Sequence, residues 1–323
     1  MAGKVKRVLL MLASCAVMSP VCAQTYPAKP IRLIVPFPPG GGSDAISRVV
    51  AAKFNETPGQ RIIVENRPGA TGSIGLDLVA KSAPDGYTLG VLIVSHAVSE
   101  ALDHAKTPYD LVKDFTPVVQ MNSIPYLLVV NPRVPAKSVK ELVALARARP
   151  GTLTYGSSGT GGVIHLAGAW LASASNTRMV HVPYKGNGPA MADLVGGHID
   201  FIFAAISSTG SFMKQQKLRG LAVTSSKRLD QVPDLPTMQE AGISNYLVEG
   251  WYGVAGPAGL PGSIVDKLNN ELDKTLNQPD TRAIMATDGA VPVGGTPKQF
   301  AAHISSEMQK WSRIVKEAAI KID

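Results

Sequence analysis

The chain of 323 residues has two cysteines, and both, Cys15 and Cys22, fall within its first 23 residues. Those residues carry Lys4, Lys6 and Arg7 ahead of an apolar stretch at 8–17 that is too short to span a bilayer, which is the pattern of an export signal. Val21-Cys22-Ala23 satisfies the small-residue cleavage rule, so 1–23 is expected to be removed and the mature chain to begin at Gln24. A rival cut exists, because Leu12-Ala13-Ser14-Cys15 resembles a lipobox that would put a lipid on Cys15 and tether the product to a membrane. After the ordinary cut no thiol remains, which excludes disulfides, thiol nucleophiles and zinc–thiolate sites. Beyond the leader no apolar run reaches the length of a transmembrane helix, so a water-soluble product is expected.

Aromatic residues are scarce at 6%, and the net charge of +8 falls to +5 once the three leader cations are gone. The positive residues are spread along the chain. A nucleic-acid surface calls for a basic stripe with interleaved aromatics, and without one no nucleic-acid partner is expected. Charged residues amount to 17% against 45% hydrophobic, so about 300 mature residues can bury enough surface to fold without staples, as two domains. The six histidines, His96, His104, His165, His181, His198 and His303, form no metal-spaced pair, and neither a metal nor a cofactor is expected.

What the chain does have is glycine-rich turns that follow strand-like runs and precede helical ones. Ile31-Arg32-Leu33-Ile34-Val35 leads into Pro36-Phe37-Pro38-Pro39-Gly40-Gly41-Gly42-Ser43-Asp44, and Leu153-Thr154-Tyr155 leads into Gly156-Ser157-Ser158-Gly159-Thr160-Gly161-Gly162. Such turns leave the first N–H groups of the helix unpaired, with the positive end of the helix dipole at the strand tip, so each offers donors to an anion. Ser43 or Asp44 would cap the first helix, and Asp44, itself negative, would fix the loop or receive an amine or water. In the second turn Ser157, Ser158 and Thr160 add hydroxyls. It is not a P-loop, since no Lys follows the glycines, and it lacks the third glycine of a dinucleotide fingerprint and the spacing of a nucleophile elbow.

A third turn, Glu65-Asn66-Arg67-Pro68-Gly69-Ala70-Thr71-Gly72-Ser73, has the same setting, and Val182-Pro183-Tyr184-Lys185-Gly186-Asn187-Gly188 supplies a possible fourth wall. Lys185 reads equally as a ligand contact or a solvated cation. Asp200 reads as a carboxylate bonded to loop N–H groups or as a strand-start residue. His96 and His165 each follow a strand end on the presumed cleft side. Four or five backbone donors at about 1.5–3 kcal/mol each could hold an anion with roughly micromolar affinity after closure costs, so no arginine clamp is required.

Strand-like runs at 61–65, 88–94, 118–121, 127–130, 179–182, 199–203 and 218–223 alternate with helix candidates at 138–148, 189–195 and 207–215. This alternation predicts an α/β fold with parallel-rich sheets. Ser138 and Glu141 form a capping box. Phe201-Ile202-Phe203-Ala204 is apolar without interruption, as a strand buried on both faces should be. With no repeat or flexible tether, the chain is expected to cross between lobes within strands, at 121–126 and again at 246–251. The tail, 261–276 and 297–320, reads as helices packed back on the first lobe, with Ile264, Leu268, Leu272 and Leu276 on one face.

The motifs Val35-Pro36-Phe37-Pro38-Pro39-Gly40-Gly41-Gly42-Ser43-Asp44, Val64-Glu65-Asn66-Arg67-Pro68-Gly69-Ala70, Asp85-Gly86-Tyr87-Thr88-Leu89, Tyr155-Gly156-Ser157-Ser158-Gly159-Thr160-Gly161 and Val182-Pro183-Tyr184-Lys185-Gly186 resemble, in this order, those of the Bug family. These are extracytoplasmic substrate-binding proteins of tripartite tricarboxylate transporters. The resemblance implies a periplasmic, two-lobed Venus-flytrap protein of type II with no catalytic activity, each lobe a mainly parallel sheet flanked by helices. Lobe I would be 24–123 plus 249–323, and lobe II 124–248. It implies a ligand carboxylate held, partly through waters, between 37–44 and 156–161, with Ala70, Thr71, Gly72, Ser95 and His96 along the remaining wall. Phe37, Pro39, Gly40, Gly41, Ser43, Asp44, the second-turn residues, His165, Tyr184, Lys185, Asp200 and Ala204 complete the expected site. Pro38-Pro39 departs from relatives that carry a small residue there, and neither proline has an N–H to give.

The resulting expectation is a monomeric receptor for a small carboxylate (a dicarboxylate, citrate, an acidic amino acid or a pyridine-type carboxylate) that serves two integral membrane subunits. Two rivals stand beside it: the same receptor serving a sensor protein, and an exported hydrolase using Ser157 or Ser158 with His165.

Overall fold

The computed structural model describes residues 26–103, 107–287 and 289–317. The expected leader with Cys15 and Cys22, His104, and the end of the expected C-terminal helix at Ile320 lie outside the described residues. Among the described residues no helix is long and apolar enough to cross a membrane.

In chain order the elements are β1 (Ile31–Val35), α1 (Gly42–Phe54), β2 (Ile62–Asn66), a 3₁₀ turn (Ala70–Gly72), α2 (Ser73–Ala80), β3 (Thr88–Ile93), α3 (Val94–Leu102), β4 (Phe115–Val130), α4 (Val139–Ala148), β5 (Thr154–Ser157) and α5 (Val163–Ala174). There follow β6 (Val180–Pro183), α6 (Asn187–Gly196), β7 (Phe201–Ala205), α7 (Ile206–Lys214), β8 (Arg219–Val223), β9 (Glu249–Pro257), α8 (Gly262–Leu276), α9 (Pro279–Thr287), β10 (Val291–Gly294) and α10 (Pro297–Glu317).

Two blocks of three parallel strands are built alike. In the first, β1 lies between β2 and β3, and in the second, β5 lies between β6 and β7. The first half of the sheet runs β2-β1-β3-β9-β4 with β10 on the outer edge of β4, and the second runs β6-β5-β7-β4 with β8 beyond. Each half thus takes in one antiparallel strand next to its parallel block, β9 in the first and β4 in the second. The fold is α/β in two lobes, with parallel strand pairing within the two blocks and antiparallel pairing at the crossing strands.

The two strand runs expected at 118–121 and 127–130 are a single strand, β4. Pro117 and Pro125 both lie within it, and Pro125 occupies the point where the strand changes partners. Pro125 faces Glu249 of β9, whereas Tyr126 faces Ala205 of β7. A residue without an N–H fits where one hydrogen-bond ladder ends and another begins. The α3 helix went unseen because no glycine or proline separates it from β3. There the His96 ring caps the helix, Nδ1 accepting the N–H of Ile93 at 3.0 Å. Ser138 caps α4 as expected, accepting the Glu141 N–H at 3.2 Å.

The tail helices return to the first half. Leu268, Leu272 and Leu276 of α8 are buried with Ile46, Val50 and Phe54 of α1. Phe300, Ile304, Trp311 and Ile314, at helical spacing along α10, join a core that continues into the second half through Leu127, Leu128, Val129 and Val130. Glu307 is the polar member of that face, and its Oε2 accepts the indole N–H groups of Trp251 at 3.1 Å and Trp311 at 3.0 Å. Its other oxygen pairs with the Lys310 ammonium, and together these partners satisfy a buried carboxylate that would otherwise cost several kcal/mol.

Candidate functional site

Ile93, at the C-terminal end of β3, pairs with Tyr252, and Ala205, at the end of β7, pairs with Tyr126. The C-terminal ends of both parallel blocks therefore point toward the crossing strands. The turns that follow β1 and β5, together with the N-termini of α1 and α5, stand on that side.

The first turn is held by a charged clamp. Asp44 is buried on α1, and its Oδ2 accepts the N–H of Gly40 at 2.9 Å. Arg48, one helical turn on, donates to both Asp44 oxygens at 3.0 Å. Asn66, from the third turn, donates to Asp44 Oδ1 at 2.9 Å and to the Phe37 carbonyl at 3.0 Å, and accepts from Arg48. The Arg48 guanidinium holds the Asp44 carboxyl at about 2, with the Gly40 N–H and Asn66 assisting against burial. Asp44 is thus the fixing residue of the loop. The N–H of Gly40, expected as a ligand donor, is spent on it, and Pro38 and Pro39 have none to give. Gly41, Gly42 and Ser43, at the cap and first turn of α1, are left as the donors of this end. The Tyr252 hydroxyl closes over Gly42, where an added Cβ would lie 2.8 Å from it.

The third turn is strained. Gly69, Ala70, Thr71 and Gly72 all have positive φ, 135°, 46°, 55° and 95°. For Ala70 and the β-branched Thr71 this is a sparsely populated region, of the kind that persists only where the surroundings impose it. Gly72 rests on Phe37 and His96, and a Cβ there would come within 2.6 Å of His96 Nε2 and 3.2 Å of the Phe37 ring. The Phe37 and His96 rings stack at 5.8 Å. Burial drops the His96 pKa to about 3, so the ring is neutral, and with Nδ1 accepting from Ile93 its proton sits on Nε2. That fully buried Nε2 has no hydrogen-bond partner. Phe37, Gly72 and His96 are therefore together, with the half-buried Ser95 beside them at the start of α3.

The second turn is held by neutral groups. Ser157 Oγ lies 2.9 Å from the Gly159 carbonyl, accepts the Gly159 N–H at 3.1 Å and meets His181 Nε2 at 2.6 Å. His165 Nδ1 accepts the N–H of Gly161 at 3.1 Å. The two imidazoles stack with centroids 3.9 Å apart, next to Tyr155. Burial, then the His165 ring, lowers His181 to about 4, and burial lowers His165. The N–H groups of Gly159 and Gly161 and the hydroxyl of Ser157, all expected to face a ligand, are thus committed within the turn. Ser158, Thr160 and Gly162 are left to present donors, and Ser158 and Thr160 are exposed.

The fourth wall adjoins the second turn: the Tyr184 N–H donates to the Ser157 carbonyl at 3.0 Å and that of Gly186 to Ser158 at 3.2 Å. The Tyr184 phenol donates to Asp193 of α6 at 2.6 Å, and its pKa is raised to about 12 by burial and that carboxylate. Lys185 is exposed, and Ala204 is buried on β7 near its end at the crossing.

Asp200 is a correction. It immediately precedes β7, and its Oδ2 accepts the N–H and hydroxyl of Thr154, the first residue of β5, at 2.8 and 2.9 Å. Because β5 and β7 are parallel, these starts lie at the opposite end of the block from the second turn, so Asp200 fastens strand starts and does not face the cleft.

The sequence reading missed Arg48 and His181. Arg48 was visible as the i+4 partner of Asp44 on a helix. Nothing local marks His181, which is brought to Ser157 only by the pairing of β6 with β5. The hydrolase reading is also reshaped, since Ser157 meets His181 instead of His165, and among the described residues no carboxylate bonds either imidazole to complete a relay.

Residues 46–320 match the family described as tripartite tricarboxylate transporter family receptor, TctC. The protein BugT of Bordetella pertussis is 35% identical over 314 residues, covering 97% of this chain and 96% of BugT. Rpa4515 of R. palustris, solved with adipate, is 33% identical with a TM-score of 0.78 and covers 92% of this chain and 99% of that one. MatC (Rpa3494) from Rhodopseudomonas palustris, solved with bound malate, is 31% identical with a TM-score of 0.74 and covers 90% of this chain and 100% of that one.

Proposed function

Because this chain belongs to the tripartite tricarboxylate transporter receptor family, we propose that it captures a small carboxylate in the periplasm between lobe I (24–123 with 249–323) and lobe II (124–248). The reading is supported by one observation above others: two helix N-termini, at Gly41 and Gly162, stand on glycine turns whose internal hydrogen bonds leave a short row of N–H groups unspent on each side of the crossing strands. One ligand carboxylate accepts from Gly41, Gly42 and Ser43, and Ser158, Thr160 and Gly162 grip it from the other lobe as the lobes close. The rest of the ligand runs along Phe37, Gly72 and Ser95. Adipate and malate, held by two relatives, set the size range to try first.

The molecule acts as a receptor and not as a catalyst, and its closed form is what two integral membrane subunits recognise. Ligand contacts made only in the closed state shift the equilibrium toward it. Calorimetry against adipate, malate, citrate, aspartate and nicotinate tests the reading. The expected result is micromolar or tighter binding of at least one of them, and no heat from any would end it.

A further inference from the structure

At the far edge of the sheet a cavity of about 520 Å³ opens between segments of the two halves. Lys227 and Arg228, in the stretch after β8, Arg282 of α9 and Val291 of β10 line it, and the crossing strands contribute Ser123 and Glu249. No residue of the three glycine turns takes part. In the first half β3, β9 and β4 separate β1 from β10, and in the second β7 and β4 separate β5 from β8. At about 4.8 Å per strand, the outer walls of the cavity, beside β8 and on β10, lie roughly 15–20 Å across the sheet from either turn, and Ser123 and Glu249, on β4 and β9, about 10–15 Å. Its volume falls inside the range of roughly 300–1,000 Å³ usual for small-molecule sites.

The lining mixes apolar side chains with charges of both signs. Glu249 Oε2 accepts from the Ser123 hydroxyl at 2.7 Å, and no described residue hydrogen-bonds its other oxygen. Burial pushes this carboxyl above the usual range, opposed by the Ser123 hydroxyl and Lys310, so it gains from a cation brought to it. Three cations also line the cavity. Arg228 is engaged by Glu240 and Arg282 touches Asn277, while the Lys227 ammonium is exposed. Asp230, also on the rim, offsets one of the three. A simple anion would meet Glu249 and a simple amine would meet the cations. A molecule carrying both charges is complementary at both ends.

We infer that this cavity is a second binding site, for a small zwitterion of the amino-acid class whose ammonium pairs with Glu249 and whose carboxylate pairs with Arg282 and Lys227. Its walls belong to different halves, so an occupant resists rotation of one lobe against the other. By reciprocity it changes affinity at the glycine turns by the same factor that a ligand there changes its own.

The test is calorimetric titration of the full chain and of its Gly41→Val variant, in which the first-turn donors are blocked, with each of the twenty amino acids. At least one should bind both proteins, and Arg282→Ala and Glu249→Gln should each weaken it about tenfold or more. Propionate and propylamine, which separate the two charges, should give no binding at equal concentration. The inference is overturned if no amino acid binds the Gly41→Val protein, if Arg282→Ala and Glu249→Gln both bind like the parent, or if either single-charge probe binds as well. Should Glu249→Gln not fold, Arg282→Ala, an exposed change, decides alone. Binding of adipate or malate plays no part, so the carboxylate reading can fail without touching this one.

Discussion

The two glycine turns look alike in sequence and sit alike on their sheets, yet opposite chemistry fixes them. Turn 37–44 is braced by an ionised carboxylate, a guanidinium and an amide drawn from α1 and the third turn. Turn 156–162 is braced by a hydroxyl and two uncharged, stacked imidazoles from α5 and β6. The lesson is that equal backbone geometry needs rigid support but not a particular kind of it. Acid should loosen the two sides over different pH ranges.

The strongest way to break the comparison is to block each turn. Gly41→Val and Gly159→Val should each weaken ligand binding by more than about 100-fold, the loss of two hydrogen bonds to a charged group, read by calorimetry with the tightest acid found. Folding should separate them. Gly41 has φ −79° and its added Cβ would meet only the Pro38 carbonyl, at 3.7 Å, whereas Gly159 sits at φ 144° and should cost about 1–3 kcal/mol. Unchanged affinity in both variants would remove the two-turn site.

Next in size is Asp44→Ala. The folded-state pKa of Asp44 is depressed to about 2, so its support is complete above the unfolded value near 4 and is lost as pH falls from there toward 2. The melting-temperature gap between parent and variant should be wide at pH 7 and should shrink steadily from about pH 4 to 2. A gap that is the same at pH 7 and pH 2 would show that the clamp is not ionic.

His181→Gln tests the neutral side. The His181 pKa is depressed to about 4, so an unfolded chain takes up a proton before the folded one does, and stability declines as pH drops from about 6.5 to 4. Protection of the Gly159 amide against hydrogen exchange, corrected for intrinsic rate, should fall over that range in the parent. At Gly40 it should hold until below about 4. Loss of protection at both amides over one range would erase the distinction. The smallest effect belongs to Arg48→Met: a slight drop in melting temperature that about 0.5 M salt should abolish, because Arg48 is half exposed and its pairing screened.

Most of the architecture was legible because strand and helix periods differ and because glycine marks the strand tips. The alternation placed both parallel blocks, and Ser138 with Glu141 placed the start of α4. What stayed hidden was set by pairing at a distance. Pro125 looks like an interruption until two ladders are seen to meet there, and β10, a four-residue edge strand containing Pro292, carries almost no signal of its own. In the site, glycine spacing located the turns but could not show which N–H groups each turn keeps for itself. Gly40, Gly159 and Gly161 all lend theirs inward, and Asp200 was misplaced because a strand start and a strand end look alike in one dimension.

The uninterrupted β4 bears on how such a molecule moves. Sixteen residues pass from one half to the other as a single strand, a ribbon that changes its hydrogen-bond partners at Pro125, with packed core beneath both parts. Any swing between the halves therefore has to twist that ribbon, which pushes back like a torsion bar, and little of the ligand's binding energy is spent on quieting a wide range of idle orientations.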